Sequence, residues 1–154
     1  MTCMDIDIKT LHLCREIEYF DSGLVPAIDP AVLASHARTA GECLLVFDDT
    51  AFIVQTEDGP RLNGIPSAHA VFAVEDRAST EARGRMRFAL EKGDYAFFQI
   101  RYPAEGASPE WTRSLLEEFV RQLWWEQIAC RGPWMLRLVP EDGEIAFQTL
   151  RQLA

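Results

Sequence analysis

GDYAFFQIRY, residues 93–102, crowds aromatic and branched side chains into one short run between Gly93 and Pro103. Such residues suit a pleated surface, so the run reads as a strand, central or nearly so in its sheet. Working downstream, PAEGA (103–107) is a turn. Ser108 then caps a helix with Pro109 at its first position and Glu110 in its first turn, where a carboxylate favours the helix N-terminus. Trp111, Leu115, Leu116, Phe119, Val120, Leu123 and Trp124 recur on one broad face, and the helix is predicted to run to about Ala129, before Gly132 and Pro133. WMLRLVP (134–140) and EIAFQTLRQL (144–153) follow as two strands joined by EDG, a hairpin signal.

Upstream the same order recurs. MDIDIKTLHLCREIEY (4–19) alternates loosely and reads as a strand. Asp29 caps a short helix that has Pro30 at its first position and closes at Gly41. CLLVFDDTAFIVQTEDG (43–59) and HAVFAVED (69–76) are β-rich, with a loop containing Gly64 and Pro66 between them, and RASTEARGRMR (77–87) is a loop or strand approach. Strand, helix, strand, strand thus occurs twice. The predicted fold is α+β: one domain over 1–154, with duplicated βαββ repeats of about 5–76 and about 88–154, one largely antiparallel sheet, and two helices on one face.

Composition narrows the function classes. The 154 residues are 48% apolar and 25% charged, and no apolar run is long enough to span a bilayer. MTCMDIDIKT has neither the basic region nor the apolar run of a signal peptide. Cys3, Cys14, Cys43 and Cys130 form no C-x-x-C pair and read as reduced thiols, so a cytoplasmic location is expected, without membrane association. A net charge of −9 opposes a phosphate backbone, so direct nucleic-acid binding is not expected. His12 and Cys14 share a strand face but lack the second close pair of a zinc site, and no glycine-rich phosphate loop is present. No metal or cofactor is expected.

LEKGDYAFFQIRYPAEG (90–106), the helix after it, and GPWMLRLVPEDGEIAFQTLRQL (132–153) resemble the second half of the gyrase-inhibitor-like small-molecule-binding domain family, which includes the effector-binding domains of AraC-type and MerR-type drug-responsive regulators. Gly93, Tyr95, Ala96 and Phe97 at the strand start, and the Pro133–Trp134 pair, carry the resemblance. HAVFAVED sits where the family closes its first repeat. The resemblance implies two βαββ units in one curved sheet, with a cleft between them that receives hydrophobic, often cationic, compounds. Stand-alone members include gyrase inhibitors, drug-binding domains and a few hydrolases, so membership leaves function open. Many members carry an acidic residue after the Pro–aromatic pair; here Met135 holds that position.

The expected ligand site is lined by Tyr95, Phe97, Trp111, Phe119, Trp134 and Phe147, with Glu126 as its polar anchor. Helical periodicity places Glu126 near Leu115, Phe119 and Leu123, where a carboxylate beside aromatic rings attracts a cation and stands in for the one absent at 135. The simpler reading is a helix-end glutamate that reaches water or Arg131. Trp111 and Trp124 are expected in the core, and Trp125 toward the polar side. The functions rank as follows: a stand-alone domain that senses or sequesters a hydrophobic small molecule; a protein-interaction module, inhibitor or chaperone-like, using Trp125 and an acidic surface; and a hydrolase with Glu126 or Glu118 as general base. No nucleophile motif backs the last, since GIPSAH is not a G-x-S-x-G elbow.

Overall fold

GDYAFFQIRY forms a strand over its whole length, flanked by the first strand of the chain on one side and the last on the other. The computed structural model describes residues 6–21, 29–47, 53–64, 70–73, 87–102 and 107–154. Its elements are β1 (Lys9–Leu13), β2 (Ile17–Asp21), α1 (Pro30–Ala40), β3 (Cys43–Phe47), β4 (Ile53–Thr56), β5 (Gly59–Leu62), β6 (Ala70–Ala73), β7 (Arg87–Leu90), β8 (Gly93–Tyr102), α2 (Pro109–Trp125), β9 (Cys130–Glu141) and β10 (Glu144–Leu153). Eight strands form one sheet in the order β1-β8-β10-β9-β3-β6-β2-β7, and β4 and β5 form a separate ribbon. Every described strand pair is antiparallel, and the fold class is α+β.

The two ends of that order lie close together. Lys9 pairs with Phe97 and Leu13 with Gly93, then Ile17 with Leu90 and Phe20 with Arg87. Residues 9–20 and 87–97 therefore run side by side as one interrupted ribbon. Cys14–Glu16, three residues, stand opposite Glu91 and Lys92, and this bulge-like mismatch breaks the strand that the sequence reads as continuous from 4 to 19. Four Cα steps from Leu13 to Ile17 reach at most about 14 Å, which holds β1 and β2 near each other. Reading inward, β8-β10-β9 and β2-β6-β3 meet at the β3–β9 pair, with α2 following β8 and α1 following β2.

Strand alternation sorts the apolar residues into two cores. Cys43, Leu45, Phe47, Ala96, Trp134, Leu136, Leu138, Ile145 and Phe147 share one cluster with residues of both helices, so the helices cover the same face. Leu44, Val46, Tyr95, Met135 and Leu150 point through the sheet to a second cluster with Tyr19 and Leu90. A strand buried on both faces reads as an unbroken apolar run, as CLLVF does in β3.

Both helix starts follow their caps. Asp29 accepts from the Ala31 N–H at 3.1 Å, and Ser108 Oγ from the Trp111 N–H at 3.2 Å. The end of α2 differs from expectation, stopping at Trp125 instead of near Ala129. The Gln127 N–H donates to the Trp124 carbonyl at 3.1 Å and the Ile128 N–H to the Leu123 carbonyl at 3.0 Å. These are the two bonds of a Schellman stop, with Gln127 in the left-handed position (φ 56) that glycine usually takes. Gly132 and Pro133 lie beyond it, inside β9. Two short strands also escape the sequence reading: β5 carries Gly59 and Pro60, and β7 borders a polar segment. No described helix is long and apolar enough to cross a membrane.

Candidate functional site

The Schellman turn folds Ile128 back beside Leu123, as the hydrophobic contact of that motif requires, and leaves the last turn of α2 with an apolar flank. The β4–β5 ribbon docks along this helix. Arg113 donates to the carbonyls of Leu62 (3.2 Å) and Gly64 (2.9 Å), Arg121 donates to that of Pro60 (3.1 Å), and Glu117 accepts from the Leu62 N–H (2.9 Å). At the ribbon's turn, Gly59 has φ +103, and a Cβ there would stand 2.8 Å from the Trp124 ring. Glycine is needed twice over, for its backbone angle and for the close approach.

Between ribbon, helix end and sheet lies a cavity of about 790 Å³. Val120, Leu123, Trp124 and Trp125 form the helix wall, Ile53, Gln55 and Pro60 the ribbon wall, and Gln127 and Ile128 the turn; Cys130, Trp134 and Arg151 come from β9 and β10. Its size is that of a small-molecule site, and it is mostly apolar with a few polar groups, as such sites are. Trp125, 74% exposed, marks the mouth, while Trp134 is only 5% exposed.

The inner corner is the polar part. Trp134 stands edge to face on Phe119, ring centres 6.0 Å apart. The Arg151 guanidinium lies 4.2 Å from the centre of the Trp134 ring, and its Nε donates to the Gly132 carbonyl at 2.9 Å. Ring and backbone together hold that cation in place. The Trp134 indole N–H is buried with no acceptor among the described residues. Burial pushes the Cys130 thiol pKa up, although Arg151 pulls the other way, so at neutral pH the thiol is protonated and a poor nucleophile.

The seven residues expected to line a ligand site do not share one cavity. Trp134 is on the wall, and Phe119 packs directly against it. Trp111 meets the fully buried Phe147 edge-on at 4.9 Å, in the same helix-side core but outside the cavity lining. Tyr95 and Phe97 belong to the opposite face, because alternation along β8 sends them through the sheet; the Tyr95 hydroxyl donates to the Glu91 carbonyl at 2.7 Å. Glu126 is exposed and accepts from the Gln122 side-chain amide at 2.9 Å. Trp124, expected in the core, is 47% exposed, because its ring rests on the ribbon at Gly59 instead of on the sheet.

What the sequence reading missed is the ribbon wall, the turn and Arg151. The Asp58–Gly59 dipeptide is a hairpin signal. Nothing local marks Arg151 as a cavity residue, since it is one of several arginines on polar strand positions.

The other face carries a polar row of its own. Glu42 accepts from the Tyr19 hydroxyl at 2.7 Å and from Arg137 through two bonds of 2.7 and 3.1 Å. Arg137 also donates to Gln148 (3.2 Å), whose amide donates to Gln99 (2.8 Å). Desolvation raises the Tyr19 pKa. Burial would lower that of Arg137, but Glu42 and Tyr19 together outweigh it and the net direction is up.

Comparison of the sequence with models of known protein families finds no match, and comparison with curated proteins finds none either.

Proposed function

We propose that this chain is a small-molecule-binding domain of the gyrase-inhibitor-like kind, which senses or sequesters a hydrophobic compound in the cavity between the end of α2 and the β4–β5 ribbon. One observation carries the reading: a concave, largely apolar cavity of about 790 Å³ with Trp134 and Arg151 at its inner corner and Trp125 at its mouth. The strand orders β8-β10-β9 and β2-β6-β3, each with its helix after the first strand, support the duplicated βαββ arrangement that the resemblance implies. The site proposed here differs from the expected cleft between repeats, because Tyr95 and Phe97 stand across the sheet from it.

The protein-interaction reading rests on the exposed Trp124 and Trp125. Both line the cavity, and aromatic residues on a concave wall favour a ligand over a flat partner surface. A hydrolase reading finds less support: among the described lining residues there is no carboxylate, Glu126 is tied to Gln122 outside the lining, and the Cys130 thiol is protonated.

The test is a tryptophan-fluorescence titration with 1-naphthylacetamide, a neutral bicyclic aromatic, on the native protein and on Ile128→Trp, which fills the cavity from its turn. Saturable one-site quenching that is lost in the variant, with the compound recovered unchanged, is the expected result. Equal binding to both proteins would place the ligand elsewhere, and a chemically altered product would favour the hydrolase.

A further inference from the structure

The two edges of the β4–β5 ribbon are satisfied unequally. In an antiparallel pair, facing residues alternate between exchanging both backbone bonds and exchanging none. Pro60 and Leu62 are of the second kind, since their outward groups are taken by α2: Arg121 donates to the Pro60 carbonyl, Arg113 to that of Leu62, and Glu117 accepts from the Leu62 N–H. Gln55 faces Pro60 and Ile53 faces Leu62, so their N–H and C=O groups point outward from the opposite edge. There β4 has no second strand, and these groups find no partner among the described residues. IVQT also lacks the charge or proline that commonly guards such an edge.

This open edge borders the cavity. Ile53 and Gln55 both line it, and at the Gln55–Pro60 rung the facing residue does too, whereas Leu62, opposite Ile53, is buried in the core. We infer that the cavity takes peptide-like ligands: an extended apolar residue whose amide N–H and carbonyl pair with the backbone of Gln55 and whose side chain enters the cavity. This rests on the cavity being the ligand site. Directly opposed residues of an antiparallel pair send their side chains to the same face. A residue seated across from Gln55 therefore aims its side chain where that of Gln55 goes, toward the cavity. Two backbone bonds and an apolar anchor meet in one ligand residue, the logic of strand addition at its shortest. Of the residues of β4, Ile53 and Gln55 alone point outward, so the edge suits a short compound, an acylated apolar amino acid amide, and not a long chain segment.

The probe is N-acetyl-1-naphthyl-L-alanine methylamide, compared by tryptophan fluorescence with its analogue methylated on the α-nitrogen and with 1-naphthylacetamide, on the native protein, Gln55→Ala and Gln55→Pro. Proline removes the outward N–H of Gln55 without touching a bond to β5, as Pro60 does at the facing position. The native protein is expected to bind the parent compound about tenfold tighter than the methylated one, because methylation leaves the Gln55 carbonyl unpaired. Gln55→Pro should weaken the parent about tenfold and leave the methylated compound within about twofold, and Gln55→Ala should leave both within about twofold. Equal binding of the two compounds to the native protein, an unchanged parent affinity in Gln55→Pro, or an equal loss in Gln55→Ala would overturn the inference. It also falls if 1-naphthylacetamide saturates the native protein and the parent compound does not, a result that leaves the cavity a ligand site. If neither saturates, the ligand-site reading falls as well. Circular dichroism checks the fold of each variant, and the comparison of the two compounds on the native protein stands without the variants.

Discussion

The two faces of the sheet solve the problem of burying polar groups in opposite ways. On the face away from the helices, Tyr19, Glu42, Arg137, Gln148 and Gln99 form a chain in which each donates to or accepts from its neighbour. On the helix face, the Trp134 N–H and the Thr149 hydroxyl are buried without partners among the described residues, and a cavity opens beside Trp134. A satisfied network rigidifies, whereas unmade bonds beside a void are what a ligand site leaves for its occupant. Tyr95 and Phe97, the strand aromatics that carry the family resemblance, lie on the networked face, and the candidate cavity lies on the face beneath α2.

The contrast is broken most directly at Arg137. Replacing it with Met leaves the part-buried Glu42 carboxylate without its cation, and the expected cost is about 3 kcal/mol in urea unfolding. A loss under about 1 kcal/mol would mean that the network sets geometry more than stability.

Alkaline pH probes both faces. Burial pushes the Cys43 thiol, on the helix side, from 9.0 up to about 12, and raises the Tyr19 hydroxyl, on the other side, above its ordinary 10.0. In each case the folded state holds a proton that the unfolded chain releases. The contribution is therefore fully present below the unfolded value and lost as pH rises: from about 9 toward about 12 for Cys43, and from about 10 upward for Tyr19. Stability should fall by up to about 1.4 kcal/mol per pH unit for each group within its window. Cys43→Ala should flatten the slope between pH 9 and 10, and Tyr19→Phe the slope above 10; unchanged slopes in the variants would assign the loss to other groups.

The smallest effect sharpens the comparison. Tyr19→Phe removes the hydroxyl donated to Glu42 and should cost about 1 kcal/mol at neutral pH. Thr149→Val removes a buried hydroxyl that has no partner among the described residues and should be neutral or stabilising by about 0.5 kcal/mol. Loss of stability from both, measured by the same urea titration, would show the helix face to be as satisfied as the other.

Much of the fold was legible along the chain. Asp29–Pro30 and Ser108–Pro109 marked both helix starts, the composition of 93–102 marked β8, and the EDG hairpin joined β9 to β10. These signals act over a few residues, through capping bonds, fixed φ and period-two alternation. Alternation along β8 puts Tyr95 and Phe97 on a shared face but does not say which face that is.

The candidate site was not legible, because its walls come from segments brought together over long separations. Arg113 reaches Gly64 across 49 residues and Arg121 reaches Pro60 across 61, and these bonds seat the ribbon on α2. Where α2 stops depends on Gln127 accepting a left-handed conformation that its side chain does not favour. Residue types and their order settled an antiparallel α+β chain with two capped helices, since local bonds and burial periodicity suffice for that. Packing settled which tryptophan faces a cavity, which arginine stands beside it and which glutamate stays outside, since charge and shape at a site are sums over neighbours that the linear order does not name.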